Sequence, residues 1–174
     1  PVYILGSSTD SAHVAARLGL PYAFASHFAP THLFEAMEIY HREFEPSAQL
    51  DKPYTIAGIN VIAADTDEEA RRLSTSSLRM VLGILTSNID YLQPPEDYTR
   101  EFEELAENPA VQRMMQYAFI GSQKTVWDKT KQFIEQTAVD EVIVSSHIYH
   151  HEDRLKSYSL FADVMKSINN GVLV

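Results

Sequence analysis

Leu5-Gly6-Ser7-Ser8-Thr9-Asp10-Ser11 puts three serine hydroxyls directly behind a short apolar run and at the start of a helical pattern. The first amides of a helix have no partner in the helix, and they sit at the positive end of its dipole. Hydroxyls placed there can therefore help to hold an anion such as a phosphate. Gly6 permits an unusual backbone angle at the turn. Gly6, Ser7, Ser8 and Ser11 are the candidate anion-binding residues. On chemistry alone the same residues also suit an ordinary N-cap at Ser8 or Thr9, and capping is the commoner use of such hydroxyls. Neither GxGxxG nor GxxxxGK[ST] is present, so neither the dinucleotide nor the P-loop fingerprint applies.

His27 follows a second short apolar run, where it could donate a hydrogen bond or move a proton near neutral pH. A structural or solvated loop histidine is the competing reading. His147, His150 and His151 stand beside Glu152 and Asp153, which raises a histidine-metal hydrolase. The spacing is not HExxH, however, and the two acids suit the first turn of a helix, so no metal site is assigned.

The chain has 174 residues, 45% of them hydrophobic and 22% charged, enough apolar material for one ordinary globular core. A formal net charge of −10 argues against nucleic acid and against an anionic membrane surface, and favours a small-molecule substrate or a protein partner. With no cysteine, disulfides, thiolate chemistry and cysteine metal sites are excluded, which fits a cytoplasmic location. No apolar stretch is long enough for a membrane helix, and no signal peptide is visible. The sequence opens Pro1-Val2-Tyr3 on a strand, without an initiator Met, which processing, removal of a tag or a missing preceding segment would each explain.

The elements that must position these groups alternate. Strands are expected at Val2–Leu5, Tyr22–Ala25, Tyr54–Ala64 and Glu141–Ser146. Helices are expected from Asp10 to Leu18, with Gly19 as the residue past its end, from about Thr31 to Phe44, and from Asp67 towards Leu85. Thr66 with Glu69 is a capping box for the last of these. Residues 86–98 read as an irregular insertion, followed by short helices at Thr99–Glu107 and Ala110–Tyr117. Gly121-Ser122 caps a helix from about Lys124 to Thr137, and the last helix runs from His151 to Ile168. Four strands, each followed by helix, make half of an eight-fold α/β barrel.

Five stretches in register resemble the luciferase-like monooxygenase family, specifically its FMN-dependent members. They are Leu5-Gly6-Ser7-Ser8, Gly19–Phe28, Asn60–Ala70, Ile120-Gly121-Ser122 with its helix, and His151–Tyr158. The resemblance implies a (β/α)8 TIM barrel of which residues 1–174 are the C-terminal half, strands 5 to 8 with crossover helices, with a helical insertion at about 86–118. It implies that the loop after the first strand grips the flavin phosphate through Ser7, Ser8 and Ser11. Bacterial luciferase has a carboxylate where this chain has Ser7, which makes Ser7 a backbone donor. The resemblance further implies reduced FMN with O2 as co-substrate, a small organic substrate and a flavin reductase as possible partner. The family's first four strands are absent, and with them the basic phosphate contacts and the best-known catalytic histidine. His27 is the catalytic candidate left, and the isolated half is expected to lack turnover. The exposed sheet edges of half a barrel imply a homo-oligomer. The alternative is a non-catalytic flavin-binding or interaction module.

Overall fold

The computed structural model describes residues 1–171. The chain divides into two compact units, one formed by Pro1–Ile59 with Ile134–Val144 and the other by Asn60–Phe133 with the chain from Ser145 onward.

In the first unit β1 (Ile4–Gly6) leads into α1 (Thr9–Leu18), β2 (Tyr22–Phe24) and α2 (Leu33–Glu43), the last entered through a 3-10 turn at Pro30–His32. The β1 and β2 strands and the start of β3 (Thr55–Ala64) pair in parallel, in a register that puts Gly6, Phe24 and Ala57 in one row. α1 buries only alanines, Ala12, Ala15 and Ala16, so its backbone lies close to its neighbours. It ends in a Schellman motif: Gly19 adopts φ 59°, its N–H bonds to the Ala16 carbonyl, and the Leu20 N–H bonds to that of Ala15. The buried Tyr40 hydroxyl donates to the Leu20 carbonyl (2.9 Å) and accepts the Tyr54 N–H (3.1 Å), fixing the entry to β3. β5 (Glu141–Ser145) pairs with β3, and at its start Asp140 accepts both the N–H and the hydroxyl of Thr55.

The second unit holds the later half of β3, α3 (Asp67–Leu85), α4 (Arg100–Glu107), α5 (Pro109–Met114), β4 (Ala118–Ser122), most of α6 (Gln123–Thr137) and α7 (His151–Asn170). Ile62, Ala64, Ala70, Leu73 and Ile148 form one apolar cluster, and Leu78, Val81, Phe102 and Val111 a second beneath the insertion. The Ala63 N–H donates to the buried Ser157 hydroxyl of α7 (2.9 Å).

The expected α/β alternation is present, with β1, β2, β3 and β5 as the four predicted strands. The fifth, β4, lies between two expected helices, in the stretch whose Gly121-Ser122 reads as the cap of the second, and it pairs in parallel with Asn60–Ala64. The helix expected at Ala110–Tyr117 stops at Met114, because alternate burial from Tyr117 on commits the chain to the sheet. The first strand lies two residues later at its start than expected, since its partners are Tyr22–Phe24. Among the described residues no helix is long and apolar enough to cross a membrane.

Candidate functional site

The site is built in the first unit, where β1 delivers the chain to α1. Ser8 is the N-cap residue, with extended backbone (φ −140°, ψ 165°), but its side chain makes no capping hydrogen bond. The bland reading of Ser8 as a side-chain cap is therefore not what the fold adopts. Ser7 is exposed and Ser8 half-buried. Ser11 behaves differently: its hydroxyl donates back to the Ser8 carbonyl (2.6 Å) and lies 2.9 Å from the Tyr22 hydroxyl. Tyr22 in turn donates to the same Ser8 carbonyl (3.2 Å). Burial raises the Tyr22 pKa, and the hydrogen bond with Ser11 offsets part of that rise.

Gly6 is required here for space. A Cβ on Gly6 would stand 1.9 Å from Ser11 Oγ and 2.2 Å from its Cβ, so only glycine lets Ser11 fold against the strand end. Its φ is not among the positive values of the described residues, so the unusual angle expected from sequence is not its reason. Asp10 is exposed in the first turn of α1, at the helix end that an anion would use.

His27 sits in the turn after β2. The Ala25 N–H bonds to the Gly6 carbonyl (2.8 Å), and the buried Ser26 hydroxyl donates to the Gly58 carbonyl (2.6 Å). These bonds tie the turn to the strands on either side. The imidazole approaches β3 at Gly58 through its Nδ1 side: a Cβ there would fall 2.2 Å from His27 Nδ1, so only glycine leaves room for the ring. Burial lowers the His27 pKa, which favours the neutral ring at neutral pH. Phe28 beside it is 70% exposed. Gly6 and Gly58 thus do the same job on different strands: each removes a side chain so that a polar group can lie on the sheet.

Tyr22 and Gly58 lie against the candidate residues Ser11 and His27, contacts the sequence reading did not foresee. Tyr22 had one signal, since a buried tyrosine hydroxyl needs a partner and serine hydroxyls lay nearby in sequence.

The histidine run belongs to the second unit. His150 is the N-cap residue of α7, and His151 Nδ1 lies 3.1 Å from Arg154 Nη2. Among the described residues no group of three or more His, Cys, Asp or Glu side chains could hold a metal ion.

With this geometry in view, the comparisons with known proteins converge. Residues 1–141 match the family model described as luciferase-like monooxygenase. A protein of Escherichia coli K12 named luciferase-like monooxygenase is 39% identical over 168 residues, which cover 97% of this chain and 50% of that protein. The crystal structure of apo-MsnO8 superposes with a TM-score of 0.76 at 31% identity, over 94% of this chain and 50% of that one. The FMN-bound oxygenating constituent of 3,6-diketocamphane monooxygenase from Pseudomonas putida shares the fold, with TM-score 0.63 and 17% identity over 99% of this chain and 49% of that one. The chain spans about half the length of the curated relatives it matches.

Proposed function

The chain belongs to the luciferase-like monooxygenase family, and from that premise we propose that it carries the phosphate grip of an FMN-dependent oxygenase acting on a small organic substrate. The observation that carries this reading is the uncapped start of α1, an extended Ser8 whose hydroxyl is left out of the helix cap. That donor set fits a phosphate: the Ser7 and Ser8 hydroxyls and the first-turn amides all present hydrogens, and the dipole adds attraction. Ser11 and Gly6 act behind them by holding the Ser8 carbonyl turned inward. Reduced FMN, when bound, supplies the electrons for O2 activation. His27, whose neutral form burial favours, can accept a proton from a substrate hydroxyl or from water.

The second reading is a flavin-binding or interaction module without turnover. Residues 1–174 are then the C-terminal half of the barrel, with 86–118 as its insertion. Titration of the chain with FMN and with inorganic phosphate, for wild type and Ser8→Ala, tests the grip. Weaker phosphate binding in Ser8→Ala is expected, and equal binding by both proteins sinks the assignment. Oxygen consumption with a flavin reductase present separates enzyme from module.

Self-association is proposed from β1, which lies at the end of the sheet order with Val2, Tyr3 and Leu5 exposed beside it. A stable contact there needs to bury about 1,000 Å² in total. A monomer by light scattering at high concentration counts against it.

A further inference from the structure

The last turn of α3 and the segment after it leave several large apolar side chains in water. Leu82, Ile84 and Leu85 are each about two-fifths exposed, Ile89 is 77% exposed and Tyr91 is 90% exposed. One such residue would mean nothing, but five within ten positions is a local concentration of exposed apolar side chains beyond the single scattered ones normal on a surface, and such concentrations mark contact sites. Aromatic side chains standing in this way are the usual anchors of protein interfaces.

The segment is also held in shape. At its start the chain folds back on the helix end: the Asn88 N–H bonds to the Gly83 carbonyl (2.8 Å), the Thr86 N–H to that of Leu82 (2.9 Å), and Ser87 takes φ 58°. A Cβ on Gly83 would meet the Asn88 oxygen at 2.8 Å, so the close return depends on that glycine. At its far end the Glu96 N–H donates to the Thr75 hydroxyl (2.9 Å), and the Glu96 carboxylate pairs with Arg79 at 2.6 Å. Between these anchors Asp90 accepts the Tyr91 N–H (2.7 Å), and Gln93 bonds to both the Asp90 carboxylate and the Tyr91 carbonyl. Tyr91 is thus presented on a tip already ordered before any partner arrives, which lowers the entropy cost of binding.

Charge decides what the partner is. Between residues 86 and 107 acidic residues outnumber the one cation, Arg100, by seven to one. Glu96 and Glu104 have cationic partners in Arg79 and Arg100, whereas Glu101, Glu103 and Glu107 remain exposed on α4. An anionic membrane or a nucleic acid is repelled by such a surface. A second copy meeting it across a two-fold axis would set the same carboxylates against themselves. We propose that Leu82–Glu107 is a docking surface for a protein partner whose contact face is apolar at its centre, to receive Tyr91 and Ile89, and ringed by lysine or arginine.

The test uses the full chain and two amphipathic peptides with the same leucine pattern, one with lysine and one with glutamate at the polar positions. Binding is followed by backbone amide NMR shifts and by calorimetry. The lysine peptide is expected to shift amides within 82–107 and the glutamate peptide to shift none. Tyr91→Ala with Ile89→Ser should lower its affinity at least tenfold, and Glu101→Gln with Glu103→Gln and Glu107→Gln should flatten its salt dependence. These residues are exposed, and an unchanged melting curve confirms that the variants fold. Shifts centred elsewhere, equal binding of both peptides, or loss of self-association in the Tyr91→Ala variant would each overturn the proposal.

Discussion

Two strand-to-helix junctions of this molecule start from almost the same backbone and end differently. Ser8 opens α1 with φ −140° and ψ 165°, and Thr66 opens α3 with φ −133° and ψ 160°. Thr66 accepts the Glu69 N–H at 3.1 Å, so its side chain closes the helix end. Ser8 leaves its own helix end open, while its carbonyl takes the hydroxyls of Ser11 and Tyr22. The difference lies in the hydroxyls themselves. Thr66 Oγ1 takes the amide three residues on while the Glu69 carboxylate pairs with Arg72 (2.7 and 2.9 Å), so only the Thr66 half of the capping box forms. At the other junction the Ser11 hydroxyl turns back to the Ser8 carbonyl. A helix N-terminus can receive a ligand only when its own side chains leave it free.

The largest break in this comparison should come from Gly6→Ala. The new methyl would collide with Ser11, whose hydroxyl holds the Ser8 carbonyl. Overpacking of this kind costs about 1–3 kcal/mol, to be read as a fall in the urea midpoint, and phosphate binding should vanish with it. Adding Ser11→Gly should recover most of the stability and little of the binding. If Gly6→Ala alone leaves both unchanged, the packing account of Gly6 is wrong.

Removing the two cap hydroxyls sharpens the contrast. Thr66→Ala should cost about 1 kcal/mol, the usual worth of a filled cap. Ser8→Ala should stay within about 0.5 kcal/mol of wild type, since no capping bond is lost. Paired urea denaturation curves decide the point. Equal losses at the two positions would show that Ser8 caps its helix in solution.

Acid separates the junctions further. His27 has a folded pKa below its ordinary 6.5, so in that window the unfolded chain binds more protons than the folded one. Stability should therefore fall as pH drops through about 6.5 towards the folded value, and His27→Gln should flatten that step. In α3 the Ser122 N–H, donated to Asp67 at 2.6 Å, is the main cause holding that carboxyl below its ordinary 3.8. Its contribution is present above 3.8 and is lost only below it. Melting temperatures over pH 3 to 8, for wild type and both single variants, would show two separate steps. A single step shared by both variants would defeat this assignment.

The parts legible in the sequence were those governed by near neighbours. Thr66 before α3 and the Schellman glycine Gly19 are local patterns: Gly19 ends α1 as expected, and Thr66 caps α3, although the Glu69 carboxylate pairs with Arg72 instead of closing the box. The strand–helix alternation and the family resemblance follow from longer runs of the same kind. What escaped depends on residues brought together by folding. β4 is five residues long and ends in Gly121-Ser122, which reads as a helix cap until Asn60–Ala64 is seen beside it. The Ser11–Tyr22 contact and the space that Gly6 clears exist only once β2 lies against β1. His27 was legible as a position after a strand, but its close approach to Gly58 was not.

The smallest effect expected is that of Asp10, and it tests the open junction most directly. Asp10 is exposed in the first turn of α1, so its negative charge satisfies the helix dipole in the absence of any ligand. An anion bound at Ser7 and Ser8 would meet that charge as repulsion. Asp10→Asn should therefore do two opposite things: lower stability by a few tenths of a kcal/mol and raise phosphate affinity about two- to fivefold, matching the 0.3–1 kcal/mol worth of one exposed charge at a helix end. Asp67→Asn in α3 gives the reference, because that carboxylate already accepts the Ser122 N–H, and its loss should cost more stability and change no anion binding. Both effects at Asp10 should shrink as salt is added, since exposed charges are screened over about 10 Å at 0.1 M ionic strength. Calorimetric titration with phosphate at low and high salt reads the affinity, and urea curves read the stability. Should Asp10→Asn leave phosphate binding unchanged at low salt, the anion does not bind at the start of α1, and the grip assigned to Ser7 and Ser8 falls with it.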